Sequence, residues 1–247
     1  MSDAIRVGLV GFGYASKTFH APLIGGTPGM ALKAVASSDA DKVHADWPGV
    51  KVMSAPGDLL DDPDIDLVVI ATPNDTHFPL AKAALEAGKH VVVDKPFTVT
   101  LSQARELESL AKHCGRILSV FHNRRWDSDF LTVSALINEG QLGEVCYFKS
   151  HFDRFRPQVR QRWREQAGPG SGIWYDLAPH LLDRRGAVWP AGKHHGGPRA
   201  ASARRAIHRL FSRRAGLSAA AGSTAWYVTR RRGERALYRS RLAGQLY

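Results

Sequence analysis

Short apolar runs rich in β-branched residues alternate with amphipathic stretches along the first 120 or so residues of this chain. Strands are predicted at Ile5–Val10, 32–36, 50–53, 67–71, 90–93 and 117–121, because each run is brief, apolar and bounded by turn-forming or polar positions. Between them, 76–86 and 102–113 carry apolar residues at helical spacing: Leu80, Ala84 and Leu85 in the first, Leu107, Leu110 and Ala111 in the second. Gly88 and Gly115 follow, where a helix closes in left-handed backbone. This alternation predicts an α/β fold, a doubly wound parallel sheet covered on both faces, over residues 1–121. A further helix is expected at Ser128–Asn138, with Phe130, Val133, Leu136 and Ile137 on one face and Gly140 as its stop. After it, 145–155 alternates apolar and polar positions and reads as the first strand of an antiparallel sheet. Residues 122–183 are therefore expected to be the incomplete start of a second, α+β domain for substrate binding and oligomerisation.

The first strand runs into Gly11-Phe12-Gly13-Tyr14-Ala15-Ser16. Because it lies directly after a strand and opens a helix, this G-x-G-x-x-S reads as the Rossmann fingerprint for a dinucleotide. Gly11 permits the tight turn, Gly13 lets a pyrophosphate approach the backbone, and the helix N-terminus faces the phosphates. Ser16 stands where a third glycine is often found. The second strand ends near Ser37-Ser38-Asp39. An acid there would hold the ribose 2′-hydroxyl of NAD, whereas a small polar or basic group would accept the 2′-phosphate of NADP. Ser37 and Ser38, with Lys42 in the following turn, point to NADP over NAD.

Two more segments stand at carboxyl strand ends, where open α/β sheets bind ligands: Thr72-Pro73-Asn74-Asp75-Thr76-His77 and Asp94-Lys95-Pro96-Phe97. With the Gly11 turn, with Asn123-Arg124-Arg125-Trp126-Asp127 and with Gly172-Ile173-Trp174-Tyr175-Asp176-Leu177-Ala178-Pro179-His180, they make residues 5–183 resemble the Gfo/Idh/MocA oxidoreductases. That family includes glucose-fructose oxidoreductase and inositol dehydrogenase, and its hallmark is Glu-Lys-Pro at the fifth strand; here Asp94 replaces the Glu. The resemblance implies hydride transfer between NADP or NAD and a small-molecule substrate, a sugar, polyol or related alcohol, in a homo-oligomer. It implies cofactor contacts from Gly11, Phe12, Gly13, Tyr14, Ser37, Ser38, Thr72, Pro73, Asn74, His77, Asp94 and Lys95. The catalytic group it implies is Lys95, Asp176 and His180.

The chemistry of those three residue types agrees. Oxidising a secondary alcohol needs a hydride acceptor, a base for the hydroxyl proton and a positive group for the developing alkoxide. His180 titrates near neutral pH and suits the base, Lys95 suits the cation, and Asp176 can orient or charge-balance the histidine. On a helix Asp176 and His180 are i, i+4 and share a face, with Pro179 expected in the first turn. Each has a plainer reading: an N-cap for Asp176, a packed core residue for His180, a surface lysine for Lys95. Arg154, Arg156, Arg160, Arg162 and Arg164, interleaved with Phe155 and Trp163, read as a solvated face or the lining of an anionic substrate pocket.

Charge changes the picture only at the end. Of 34 basic residues, 15 follow Asp183, against one of the 23 acids, so 184–247 carries +14 and 1–183 carries −3. This Arg- and Ala-rich run shows no strand alternation and no Asp. It is expected to be a frameshifted, disordered tail, since shifted GC-rich codons yield Arg, Ala, Gly and Pro. The competing readings are a nucleic-acid-binding arm acting through runs such as Arg230-Arg231-Arg232, and a dinucleotide-binding module without catalysis. Cys114 and Cys146 lack metal or redox spacing, and His113, His122 and the His194-His195 pair lack partner ligands, so no metal is assigned. Without a secretory leader pattern or a run of about 20 apolar residues, a cytoplasmic protein is expected, with no membrane partner.

Overall fold

The computed structural model describes residues 4–143, 145–150, 158, 163–188, 224–230 and 235–240. The chain divides into two compact units, Met1–His122 with Gln161–Pro179, and Asn123–Arg160 with His180–Tyr247.

In the first unit, strands β1 (Ile5–Val10), β2 (Met30–Ala36), β3 (Lys51–Met53), β4 (Leu67–Ile70), β5 (His90–Asp94) and β6 (Leu118–Phe121) form one parallel sheet in the order β3-β2-β1-β4-β5-β6. The helices between them are α1 (Ala21–Gly26), α2 (Ala40–His44), α3 (Pro56–Leu60), α4 (His77–Glu86) and α5 (Leu101–His113). All six strands fall on the apolar runs, with ends displaced by no more than two residues. Alternate strand residues feed two cores. Val10, Val68, Ile70, Val91 and Val93 meet Leu59, Ala81, Leu85 and Leu107, while Val7, Leu9, Val35 and Val69 meet Ala21, Ile24 and Val43 on the opposite face. Thr100 closes the start of α5 with a capping box to Gln103, and Gly88 and Gly115 have φ of +74° and +62° just beyond α4 and α5. The order reverses between β1 and β4, which leaves a crevice at their carboxyl ends.

The helix after the glycine turn widens to a π segment at Ser16–His20, where the Ala21 amide bonds to Ser16 O five residues back. The change of register comes immediately before Pro22, which has no N–H to continue the ladder.

In the second unit, α6 (Ser128–Asn138) buries Phe130 and Val133 against Leu142, with Leu136, Ile137, Val145 and Phe148 packed around them. Strand β7 (Val145–Ser150) starts where expected; residues 151–155 of the expected strand lie outside the described residues. Helix α7 (Gly172–Val188) runs from the first unit's residues into the second's. Strands β8 (Thr224–Arg230) and β9 (Arg235–Ser240) complete an antiparallel sheet in the order β7-β8-β9. These two strands correct the expectation of a strandless tail. Trp226, Tyr227 and Val228 favour extended backbone, but apolar residues stand at both odd and even positions and hide the two-residue period. Residues 189–223 lie outside the described residues. Among the described residues no helix is long and apolar enough to cross a membrane.

At the amino end of the sheet, Arg6 of β1 grips Asp66. Its backbone amide and Nε donate to Oδ2 at 2.9 Å each, and its other guanidinium arm to Oδ1 at 2.7 Å. The Arg6 side chain, then its backbone amide, pulls the Asp66 carboxyl down to about 2 from an ordinary 3.8. A depressed carboxylate stabilises the fold above the unfolded value and loses that contribution as pH falls through the folded one. Asp66→Asn is therefore expected to be less stable than the parent at neutral pH, with the difference closing between about pH 4 and pH 2. Urea midpoints across that range test it; a gap independent of pH would refute the link.

Candidate active site

The crevice begins at the glycine turn. Gly11 has φ of +88°, and a Cβ there would sit 2.9 Å from Ala71 O, so β1 can turn against the end of β4 only with glycine. At Gly13 an added Cβ would meet nothing within 4 Å, which is the open cradle a phosphate needs above a helix start. Lys17 N–H donates to Gly13 O at 3.0 Å, so the helix begins at the second glycine. Ser16 is fully buried and its Oγ donates to Gly11 O at 2.8 Å. In place of a third glycine, it ties the helix start to the turn. Phe12 is buried in the core, so its side chain is packing, while Tyr14 is exposed beside the turn with its ring edge-on to Phe19.

After β2, Ser37 is half-buried and Ser38 exposed. Ser37 Oγ accepts from the Asp39 amide at 3.2 Å, and Asp39 Oδ1 accepts from the Lys42 amide at 3.0 Å. The one acid at this strand end thus caps α2.

After β4, Pro73 is exposed, and the hydroxyls of Thr72 and Thr76 lie 2.6 Å apart. Asn74 is buried, and its Nδ2 donates to Gly170 O at 2.6 Å. His77 is only 1% exposed, with Nδ1 2.8 Å from Pro96 O and Nε2 3.0 Å from Thr72 O. The side chains of Asn74 and His77, expected beside a cofactor, are committed to backbone carbonyls. A buried polar group must find a partner, and the fold brings main-chain carbonyls from remote segments to both.

At the end of β5, buried Asp94 accepts the Lys95 amide on Oδ1 at 2.7 Å, and its Oδ2 lies 3.9 Å from His20 Nε2. Burial alone would raise the Asp94 carboxyl, but the His20 ring, the Lys95 amide and the Lys95 charge together hold it below the ordinary value. His20 is 4% exposed and its ring lies 4.3 Å from that of Phe121, centre to centre. The Lys95 side chain turns to α7, where Nζ donates to Asp176 Oδ1 at 2.6 Å and to Asp176 O at 3.0 Å. Arg164 Nε stands 4.0 Å from the same Oδ1, and its guanidinium lies over Trp163. The first turn of α7 and the chain before it are anchored to the sheet unit by Asn74 to Gly170 and by Tyr175, whose hydroxyl donates to Val99 O at 3.0 Å. Gly170 has φ of +72°, and a Cβ would come within 2.9 Å of Asn74 Cβ.

The structure therefore brings Lys95 and Asp176 together. His180 is buried and lies one helical turn beyond Asp176 on α7, as the i, i+4 spacing required. Two local expectations need correction. Asp176 is inside the helix rather than at its N-cap, and Pro179 is in the interior rather than the first turn, because α7 already begins at Gly172. Pro179 leaves the carbonyl four residues back without its helical donor. Of the five arginines of 154–164, only Arg164 lies among the described residues, and it sits at Asp176. His20 and Gly170 carried no sequence signal, and Tyr175 stood in the quoted motif without a role of its own, since each acts through partners distant in the chain. Cys114 is a half-buried free thiol, and among the described residues no cluster of His, Cys, Asp and Glu could hold a metal.

The model for the oxidoreductase family's NAD-binding Rossmann fold matches residues 5–122, and that for the same family's C-terminal alpha/beta domain matches 134–185. The chain is 78% identical over 184 residues to the uncharacterized oxidoreductase YdgJ of Escherichia coli, covering 74% of this chain and 53% of that protein. It is 38% identical over 182 residues to scyllo-inositol 2-dehydrogenase (NADP(+)) IolW of Bacillus subtilis, covering 74% and 51%. The chain thus spans about half the length of these curated relatives. Among solved structures, the Yersinia pestis protein YPO2259 superposes with a TM-score of 0.73 at 53% identity, over 100% of this chain and 66% of that one. An NAD-binding protein from Listeria innocua gives 0.71 at 26% identity, over 96% and 66%. The chain belongs to the Gfo/Idh/MocA oxidoreductase family.

Proposed function

We propose that this chain carries the cofactor site and catalytic group of an NADP-dependent oxidoreductase acting on a sugar, polyol or related secondary alcohol. The observation that carries the reading is the Lys95–Asp176 contact at 2.6 Å, just past the carboxyl end of β5 in the parallel sheet whose β1 runs into the Gly11 turn. The likeness to IolW, a scyllo-inositol 2-dehydrogenase (NADP(+)), supports the substrate class and the cofactor.

The residues fit a dinucleotide: Gly13 leaves open space at a helix start, and Gly11 gives the turn its close approach to β4. Gly11, Gly13, Tyr14, Ser37, Ser38, Thr72 and Pro73 would hold it, the backbone of Phe12 included. When bound, its nicotinamide accepts or returns the hydride. With Asp39 committed to capping α2, the polar groups left at this strand end are Ser37 and Ser38, which suit a 2′-phosphate better than a bare ribose diol. Lys95 supplies the fixed positive charge for an oxygen that becomes alkoxide-like, and the low-dielectric surroundings strengthen that attraction. Asp176 holds the ammonium in place and, one turn before His180, sets the charge beside the general base. His180 takes the hydroxyl proton in oxidation and returns it in reduction.

We also infer that the residues after Asp183 arise from a shifted reading frame. The change from −3 to +14 falls at Asp183, and the family match ends at residue 185.

Lys95→Ala is expected to lower NADP-linked turnover of a polyol by about a hundredfold or more while NADPH fluorescence quenching stays within a few-fold of the parent; equal turnover would overturn the role. NADPH is expected to bind at least about tenfold tighter than NADH, a difference of about 1.4 kcal/mol. A titration showing NADH preferred would reverse the cofactor assignment. Translating the gene downstream of Asp183 in its other two frames should yield a continuation of the family's second domain, and finding none in either would sink the frameshift.

A further inference from the structure

His20 is the last residue of the widened turn Ser16–His20, in the helix that starts at the glycine turn. Such turns are rare and frequently mark functional positions. The imidazole is 4% exposed, its ring is seated against Phe121 at the end of β6, and its Nε2 makes no hydrogen bond among the described residues. A buried ring nitrogen left so is costly, and packing alone would be served better by an apolar side chain. What Nε2 faces is Asp94 Oδ2, 3.9 Å away at the end of β5. At that distance inside a protein, a carboxylate attracts a polar N–H edge more strongly than it does in water. Both the neutral tautomer with hydrogen on Nε2 and the cation present that edge, so the attraction requires no particular charge on the ring. Against burial, which raises it, the ring does most to lower the Asp94 carboxyl.

We infer that His20 is a positioning residue for Lys95: it fixes one oxygen of Asp94 so that the other stays on the Lys95 amide. Held by Oδ1 alone, the carboxylate could turn about its last bond, whose wells are broad; an attraction on Oδ2 stops the rotation. The Lys95 backbone then leaves β5 in one orientation, from which Nζ reaches Asp176 Oδ1 at 2.6 Å. The device also ties the helix at the glycine turn to the lysine, although β1 and β5 are not neighbours in the sheet. Its value for catalysis rests on the reading of Lys95 given above; the placement of the lysine does not.

The test uses the full chain grown with nitrogen-15 lysine, the Lys95 signals being those lost in Lys95→Arg. In the parent, the Lys95 amide proton should lie at the low field of a bond to carboxylate, and its ammonium should exchange slowly enough to give a signal. In His20→Leu that remains folded by thermal melting, the amide signal should move upfield and the ammonium signal broaden toward those of exposed lysines. Lys89, a second buried lysine whose Nζ donates to Asp62 O and Ile65 O, should keep its signal. His20→Gln, whose amide can donate from near the place of Nε2, should restore both Lys95 signals. Should His20→Leu not fold, His20→Phe, which keeps a ring against Phe121, takes its place. Lys95 signals unmoved in the folded variant would overturn the positioning role, and so would an equal change at Lys89, the mark of a general loosening. A parent that gives these signals but turns over no polyol would sink the proposed function and leave the placement standing.

Discussion

The close approach of β1 to the end of β4 governs the rest of the site. Val10 O receives the Ala71 amide, and one residue on, Gly11 donates its amide to Ala36 O of β2 while its missing Cβ leaves room for Ala71 O. This places the turn at the reversal point of the sheet, between strands whose crossovers lie on opposite faces. A side chain at Gly11 would have to displace backbone, and the helix that follows would no longer start over the crevice. Ser16 reinforces the same geometry from inside by bonding back to Gly11 O.

Beyond the strand ends, order comes from side chains that satisfy main-chain carbonyls. His77 reaches Pro96 and Thr72, Asn74 reaches Gly170, Tyr175 reaches Val99, and Lys95 reaches Asp176 O as well as its carboxylate. These contacts replace the ladder where the ladder stops, and they join loops that are adjacent in space and remote in sequence. The polar residues of the ligand loops therefore divide into two kinds. Some, such as Tyr14 and Ser38, are exposed, while buried ones such as Asn74 and His77 bond to main chain and hold the frame.

Charge in the site is arranged in the same layered way. Asp94, buried and kept ionised beside His20, binds the Lys95 amide, and the Lys95 ammonium is in turn met by Asp176, which Arg164 also approaches. Two carboxylates and two cations thus alternate through the site, each charge met by a neighbour of opposite sign.

The β-branched runs, the helix-stopping glycines at 88, 115 and 140, and the G-x-G turn were enough to read the doubly wound sheet and the side of it that binds ligand, because two-residue and helical periods and positive-φ glycine are local properties of the chain. The likeness over residues 5–183 marked Lys95, Asp176 and His180 as a group. What the pattern could not supply was which partner a polar residue in a ligand loop finds: the side chains of Asn74 and His77 bond to Gly170 and Pro96, 96 and 19 residues away. The start of α7 at Gly172, ahead of Pro179, and the strands of 224–240 were likewise hidden, the first because packing overrides a proline's local preference, the second because apolar residues on both faces erase the strand period. The amino-acid order alone determined where strands, helices and the phosphate-turn glycines lie; the choice of partner for each buried polar group belonged to the tertiary structure, since a hydrogen bond between distant residues exists only after the chain has brought them together.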